Sequence, residues 1–453
     1  MVEMEERQGA DRPDESGRKI FVDYEREPVP DQLGRTWLEM GLVWVGIGMC
    51  LAALMLGGVV GNGLNLKLAA GAIVLGALVL TVINALCSVV GADTRLSTAM
   101  IGRFAFGDAG VYVVAFILAL GCYGWFAVQL GLFGETAVAG INLIAGTTIN
   151  TKIFIVIGGL LMLATAIYGY RGIAILSKIA VPVLTILLLA SLIKILGDHP
   201  WSILVAEPPP GKPMPFGVAV SIIAGSFMVG AVIGPDITRY ARNRRHAVGA
   251  SIFGFLIGFT LMVYLGSILA HAVGEWDAVK MMIGLGWGLI AILVLILAQW
   301  TTNDNNLYSA ALNFSVIFRA WPKWKLTLIA GILGIIIGVL GIYGRFVGWL
   351  MVLSATIPPI GGVYIADYFL FHRKMYAFEN LGKVPKWRPL MFAAWAGGSL
   401  TAFCTTQPPN GFGLFRLTTV SALDAIVVAI VLQAILTGLH RGMKGKWPET
   451  LPL

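Results

Sequence analysis

Charge is what this chain has least of. Only 12% of its 453 residues are Asp, Glu, Lys or Arg, while 57% are hydrophobic; a soluble chain carries about twice that charged fraction. A water-soluble globular fold is therefore excluded. Cysteine is scarce as well: Cys50, Cys87, Cys122 and Cys404 lie in apolar stretches without metal-ligand spacing, the pattern of reduced core thiols rather than a disulfide framework. The five histidines show no spacing such as HExxH, and His271 and His372, near span ends, have no obvious catalytic partner, so a membrane enzyme ranks last among the readings. No basic start with a short apolar core and cleavage site precedes the first long apolar run, so no removable signal peptide is expected.

Long apolar runs are what the chain has instead. Stretches of roughly 17–25 residues, enough to cross a bilayer as helices, recur throughout. We place twelve, near 37–60, 67–91, 109–139, 153–170, 173–196, 216–234, 249–273, 282–313, 324–343, 346–370, 389–406 and 418–439. The sequence thus reads as an all-α polytopic membrane protein, and its 56 glycines suit close helix–helix approach in lipid. With the N-terminus inside, 24 Lys and Arg fall in internal segments and 6 in external loops. That asymmetry supports both termini being cytoplasmic, and it attributes the +8 net charge to loop placement rather than to nucleic-acid binding. Residues 1–35 read as a disordered cytoplasmic tail, 36–372 as a ten-helix core, 373–439 as two additional helices and 440–453 as a second cytoplasmic tail. The segment 93–107 is too short and polar to span and reads as an interfacial helix.

Within this apolar background a few positions stand out. The first span contains Gly46, Gly48, Gly57 and Gly58; the sixth contains Gly225-Ser226 and Gly230 and stops at Gly234-Pro235. Spans one and six are equivalent if the first ten form two five-helix repeats of opposite topology, and interrupted helices at matching positions point to a transporter's site. In the third span Trp125 and Gln129 share a helix face. A flat indole and an amide with both donors and an acceptor would grip a planar heteroaromatic ring, and would equally serve helix packing. Phe227, just after Gly225-Ser226, offers a second ring.

The most polar stretch at membrane depth is 298–313, AQWTTNDNNLYSAALN. Thr301 and Thr302 can flank the Ala298 carbonyl on one face, back-bonding to the helix or forming part of a neutral oxygen shell for a sodium ion. Asn303 and Asn306 could read a ligand edge. Asp304 is an intramembrane carboxylate, which needs an ion, a proton or a partner.

WTTNDNNLYSAAL at 300–312 closely resembles the eighth-helix signature of bacterial cytosine permeases, members of the nucleobase:cation symporter-1 family. GRFAFG at 102–107, GWF at 124–126, GSF at 225–227, ITRYARN at 237–243 and FVGWLMVLSATIPPIGGVYIADYF at 346–369 match as well. The resemblance implies a LeuT-like inverted repeat of five plus five helices with two added. It also implies a secondary transporter of the cytoplasmic (inner) membrane that imports a small heterocycle with a cation by alternating access. By the same resemblance the substrate lies between Trp125 and Phe227, with hydrogen bonds from Gln129, Ser226, the Gly225 backbone, Asn303 and Asn306. A sodium ion would sit among carbonyls near Gly46, Met49 and Ala298 and the hydroxyls of Thr301 and Thr302; Asp304, read from its position alone, is a candidate proton or ion-pair site.

Two positions depart from the pattern. Cys122 stands where cytosine permeases carry a glutamine, and Val229 where they carry a serine; a pocket missing a donor or acceptor discriminates strongly among ligands. The ring is therefore left open among cytosine, purines, hydroxymethylpyrimidine, allantoin and creatinine, and coupling between sodium and proton. The expected partners are that heterocycle, the coupling cation and the lipid bilayer, with no other cofactor, no nucleic acid and a monomeric chain. A channel or sensor lined by the eighth span is the rival of another class.

Overall fold

The computed structural model describes residues 12–13, 19–20, 24, 27–48, 50–168, 170–318 and 320–444. Five helices are long and apolar enough to cross a bilayer alone: Leu66–Thr94, Val111–Ala145, Arg244–Val273, Ile342–Met375 and Ser421–His440. A further span is the pair Trp37–Gly48 and Leu51–Gly63, bent by 65° at the break. The shorter apolar helices Thr151–Ile167, Phe216–Ser226, Gly288–Asp304 and Trp324–Val339, together with Tyr170–Asp198 and Pro389–Thr405, complete the order. Each falls on an expected span, numbered one to twelve below.

The packing pairs are symmetric under exchange of the first five spans with the second five. Span 1 packs on span 7 and span 6 on span 2, while spans 3 and 8, and spans 4 and 9, pack on each other. Spans 11 and 12 pair together and lean on span 10. This is the polytopic LeuT-like architecture.

Span 1 meets span 7 backbone to backbone. A Cβ on Gly57 would lie 1.9 Å from the Val263 carbonyl oxygen, and one on Gly266 would lie 2.1 Å from that of Leu54. Ser267 Oγ donates to the Gly57 carbonyl across the gap at 2.8 Å. Glycines four apart, Gly57 and Gly61, open the groove that permits this approach.

On the arginine-rich face the structure differs from the expected interfacial helix. The helix Thr98–Phe106 buries Met100, Ile101, Phe104 and Phe106 instead of lying on a surface. Its cover comes from the segment before span 11: Asp108 and Ala109 donate their N–H groups to the carbonyls of Pro385 and Lys386, each at 2.9 Å. The wholly buried Arg388 donates to the carbonyls of Phe104 and Ala105 at 2.7 and 3.1 Å. Arg388 also forks onto Asp367 with two bonds of 2.8 Å, and Tyr376, His372 and Gln433 complete the shell of that carboxylate at 2.8, 2.9 and 3.2 Å.

The end of the expected N-terminal tail lies on the same face. Arg95 pairs with Asp31 at 2.8 Å and donates to the Pro30 carbonyl at 3.2 Å. Val29 is buried, and Arg35 exchanges backbone bonds with Tyr240 and Arg242 at 2.6 and 3.1 Å.

Candidate functional site

The breaks in spans 1 and 6 meet at one ring. Phe227 has φ −117° and ψ 19° between the helices Phe216–Ser226 and Met228–Val232, which interrupts the hydrogen-bond ladder there. Its half-buried ring lies edge-on to Trp44, centroids 6.1 Å apart, and packs on Phe255 and Phe259 at 5.0 and 5.3 Å. A Cβ on Gly48, at the break of span 1, would lie 3.8 Å from that ring.

Span 3 contributes an aromatic of its own. Trp125 is half-buried and meets Phe346 of span 10 edge-to-face at 6.0 Å. Among the described residues no ring contact joins Trp125 to Phe227. One turn on, Gln129 is 1% exposed and its Oε1 has no hydrogen-bond partner among the described residues. A buried acceptor left unpaired is costly and is the kind of exception that asks for a ligand or a water.

Span 8 divides its polar residues among its neighbours. Gln299 and Asn303 face span 3: Gln299 Nε2 donates to Thr136 at 3.0 Å and Asn303 Nδ2 to the Phe126 carbonyl at 3.1 Å. Trp300 and Asp304 turn toward span 4. Thr165 Oγ lies 2.9 Å from both Asp304 oxygens and takes the Trp300 indole N–H at 3.0 Å. Asp304 is wholly buried and makes no ion pair among the described residues. The Thr301 and Thr302 hydroxyls both donate to the Ala298 carbonyl, at 2.9 and 3.0 Å. A cation at that carbonyl would compete with the two protons for its oxygen, while a hydroxyl that donates its proton still has lone pairs able to coordinate a cation. Gly46 lies just before the break of span 1 with open space beside it. Met49 lies outside the described residues.

This arrangement — two interrupted helices crossing beside an aromatic wall and an unsatisfied amide, all at the middle of apolar spans — is that of a carrier. A family model described as permeases for cytosine/purines, uracil, thiamine and allantoin matches residues 28–439. The chain belongs to the nucleobase:cation symporter-1 family. This permease is 34% identical over 357 residues to the cytosine permease of Escherichia coli (strain K12), covering 79% of this chain and 83% of that one. It is 26% identical over 324 residues to the hydantoin permease of Microbacterium maritypicum, 65% of either chain. Among solved structures, the inward-facing conformation of Mhp1 superposes with a TM-score of 0.80 at 19% identity, covering 92% of this chain and 93% of that one. A sodium-coupled sialic acid symporter gives 0.61 at 12% identity, with 96% and 93% covered. Those two carry the fold alone. The permease is a multi-pass membrane transporter and not an enzyme.

Other positions read from the sequence are placed as follows. Gly225 is packed tight: a Cβ there would lie 1.9 Å from Ser354 Oγ and 2.5 Å from the Leu350 carbonyl oxygen, so that side faces span 10. The Ser226 hydroxyl donates back to the Ile223 carbonyl at 2.8 Å, leaving its lone pairs to receive a donor. Asn306 donates to Asn303 Oδ1 at 3.4 Å. The two departures from the cytosine-permease pattern share one seam, since Val229 lies 2.9 Å from where a Cβ on Gly121 would be, one residue before the buried Cys122. Three neighbours of the site were not singled out in the sequence. Gln299 is polar enough to have been found within the same stretch, whereas Phe346 and Thr165 carry no signal separating them from ordinary span residues.

Proposed function

We propose that this permease is a secondary active importer of a nucleobase or related small heterocycle, driven by cation symport with sodium as the coupling ion. The observation that carries the substrate is the Oε1 of buried Gln129, one turn from Trp125, which has no partner among the described residues. An N–H on the edge of a stacked ring would satisfy that oxygen, and the indole would cover the ring's face. Cys122 and Val229 make the span 3–span 6 seam poor in polar atoms, which favours a ring that presents carbon on that side. The relatives named for cytosine and hydantoin transport support the same class of compound. The coupling ion is read from Ala298, Thr301 and Thr302 beside the broken first span, where neutral oxygens suit sodium better than a divalent ion. The protein sits in the cytoplasmic membrane as a monomer with both termini inside, in keeping with the lysine and arginine count.

Competitive uptake in proteoliposomes tests this reading with cytosine, uracil, hypoxanthine, allantoin, hydroxymethylpyrimidine and creatinine, each with and without a sodium gradient. Accumulation above the equilibrium level is expected, which a channel cannot produce. Thr302→Ala should raise the sodium concentration for half-maximal uptake by about ten-fold or more, the loss of roughly one strong oxygen ligand. A second reading, proton coupling through Asp304, is favoured by the absence of any described cation beside that buried carboxylate. Uptake that follows a proton gradient and ignores sodium selects it and removes the sodium site.

A further inference from the structure

The sixth span is interrupted a second time, at Ile233–Gly234, so Met228–Val232 is a helix of five residues. A helix that short cannot satisfy its own last carbonyls, and in the apolar interior of a membrane protein an unsatisfied carbonyl is expensive. The Ala231 carbonyl accepts from the Gly234 N–H only at 3.4 Å, and two side chains from other spans add bonds to these last carbonyls. Asn84 of span 2, wholly buried, donates Nδ2 to the Ala231 carbonyl at 3.1 Å and lies 3.4 Å from that of Gly230. Tyr364 of span 10, 1% exposed, donates its hydroxyl to the Val232 carbonyl at 2.6 Å. The orientation of Asn84 is set in turn, because its Oδ1 accepts from Ser251 of span 7 at 2.6 Å and from Ser88 at 3.2 Å. Three other spans, 2, 7 and 10, thus converge on the C-terminal end of a one-turn helix whose N-terminal end is Phe227.

We infer that Asn84 and Tyr364 are positioning residues for the substrate. They fix the tilt of Met228–Val232 and through it the place of the Phe227 ring. The inference rests on the substrate-site reading above. Asn84 ties this helix to spans 2 and 7, and Tyr364 ties it to span 10. A change in how span 10 sits against spans 2 and 7 therefore acts on Phe227 through two hydrogen bonds, without either residue touching the ligand.

The test uses the full-length permease with Tyr364→Phe, which keeps the ring and removes only the hydroxyl, and with Asn84→Ala. Thr401→Val, whose hydroxyl bonds within its own helix at 2.8 Å, serves as control. Amide hydrogen exchange is measured without any ligand. KM and Vmax are then measured in proteoliposomes for the panel compound that the unaltered protein takes up fastest. Exchange across residues 227–234 is expected to quicken by about ten-fold in each variant, the worth of one buried hydrogen bond, and not in the control. KM should rise several-fold while Vmax stays within about two-fold, as expected for a lost contribution to binding. A general loss of packing would instead quicken exchange throughout spans 2, 6 and 10. Unchanged exchange at 227–234 in Tyr364→Phe overturns the inference even if Asn84→Ala fails to fold. Quicker exchange with unchanged KM overturns it as a statement about substrate; a Phe227→Ala variant of normal KM then places the failure in the substrate-site reading.

Discussion

Trp125→Ala severely lowers uptake at substrate concentrations below the KM of the unaltered permease. Stacking of a base on an aromatic side chain is worth about 1–3 kcal/mol, roughly 5- to 150-fold in affinity, and the truncation also removes the wall between Phe346 and Gln129. Trp125→Phe keeps a smaller ring and should recover part of the affinity. Gln129→Leu should behave differently. It removes the acceptor without removing the face, so compounds with an N–H on the reading edge lose more than analogues lacking it, by about ten-fold per hydrogen bond. Equilibrium binding to purified protein checks both. If Trp125→Ala binds the panel compound with unaltered affinity, the ring does not stack there, and the substrate lies elsewhere along the breaks of spans 1 and 6.

The spans were legible because a bilayer-length apolar run leaves few alternatives, and each helix falls within several residues of its run. The breaks were half legible. Gly46, Gly48 and Gly225-Ser226 mark where interruption is tolerated, but the dihedral change sits at Phe227, a residue with no breaking tendency of its own. It is sustained by Asn84 and Tyr364, which are remote in sequence from the helix they serve. The eighth span shows a related limit. Its polar residues were visible, while the neighbour each one meets was not, because that depends on how the span is rotated between spans 1, 3 and 4. Thus Asp304, read as a carboxylate needing an ion, a proton or a partner, turns toward Thr165, while Asn303, read with Asn306 as a ligand edge, ties spans 8 and 3 through the Phe126 carbonyl. The segment 93–107 illustrates the same dependence. Its length and polarity suggested a surface helix, and residues far along the chain explain why Phe104 and Phe106 are covered: Tyr376 stacks on the one and Phe392 packs on the other.

Arg388 is where the largest effect on stability is expected. Arg388 and Asp367 are both wholly buried, and removing one partner of such a pair leaves the other charge uncompensated, at a cost of about 3–5 kcal/mol. Arg388→Ala also strands the Phe104 and Ala105 carbonyls, so the helix Thr98–Phe106 and the connection into span 11 loosen together. Arg388→Lys does not rescue it, since a single ammonium cannot fork onto both carboxylate oxygens and reach two carbonyls as a guanidinium does. Thermal melting in detergent should therefore show a marked drop for Arg388→Ala, nearly the same drop for Arg388→Lys, and a smaller one for the double variant Arg388→Met, Asp367→Leu. The double variant keeps a deficit because Tyr376, His372 and Gln433 lose their common acceptor. Spans 11 and 12 join the ten-helix core on this face through Gln433 and Arg388, so the loss should be seen first as faster hydrogen exchange in 389–405 and 421–440. A variant without Arg388 that melts like the unaltered protein would mean that apolar packing of spans 10 and 12, and not this charge cluster, holds the two added helices in place.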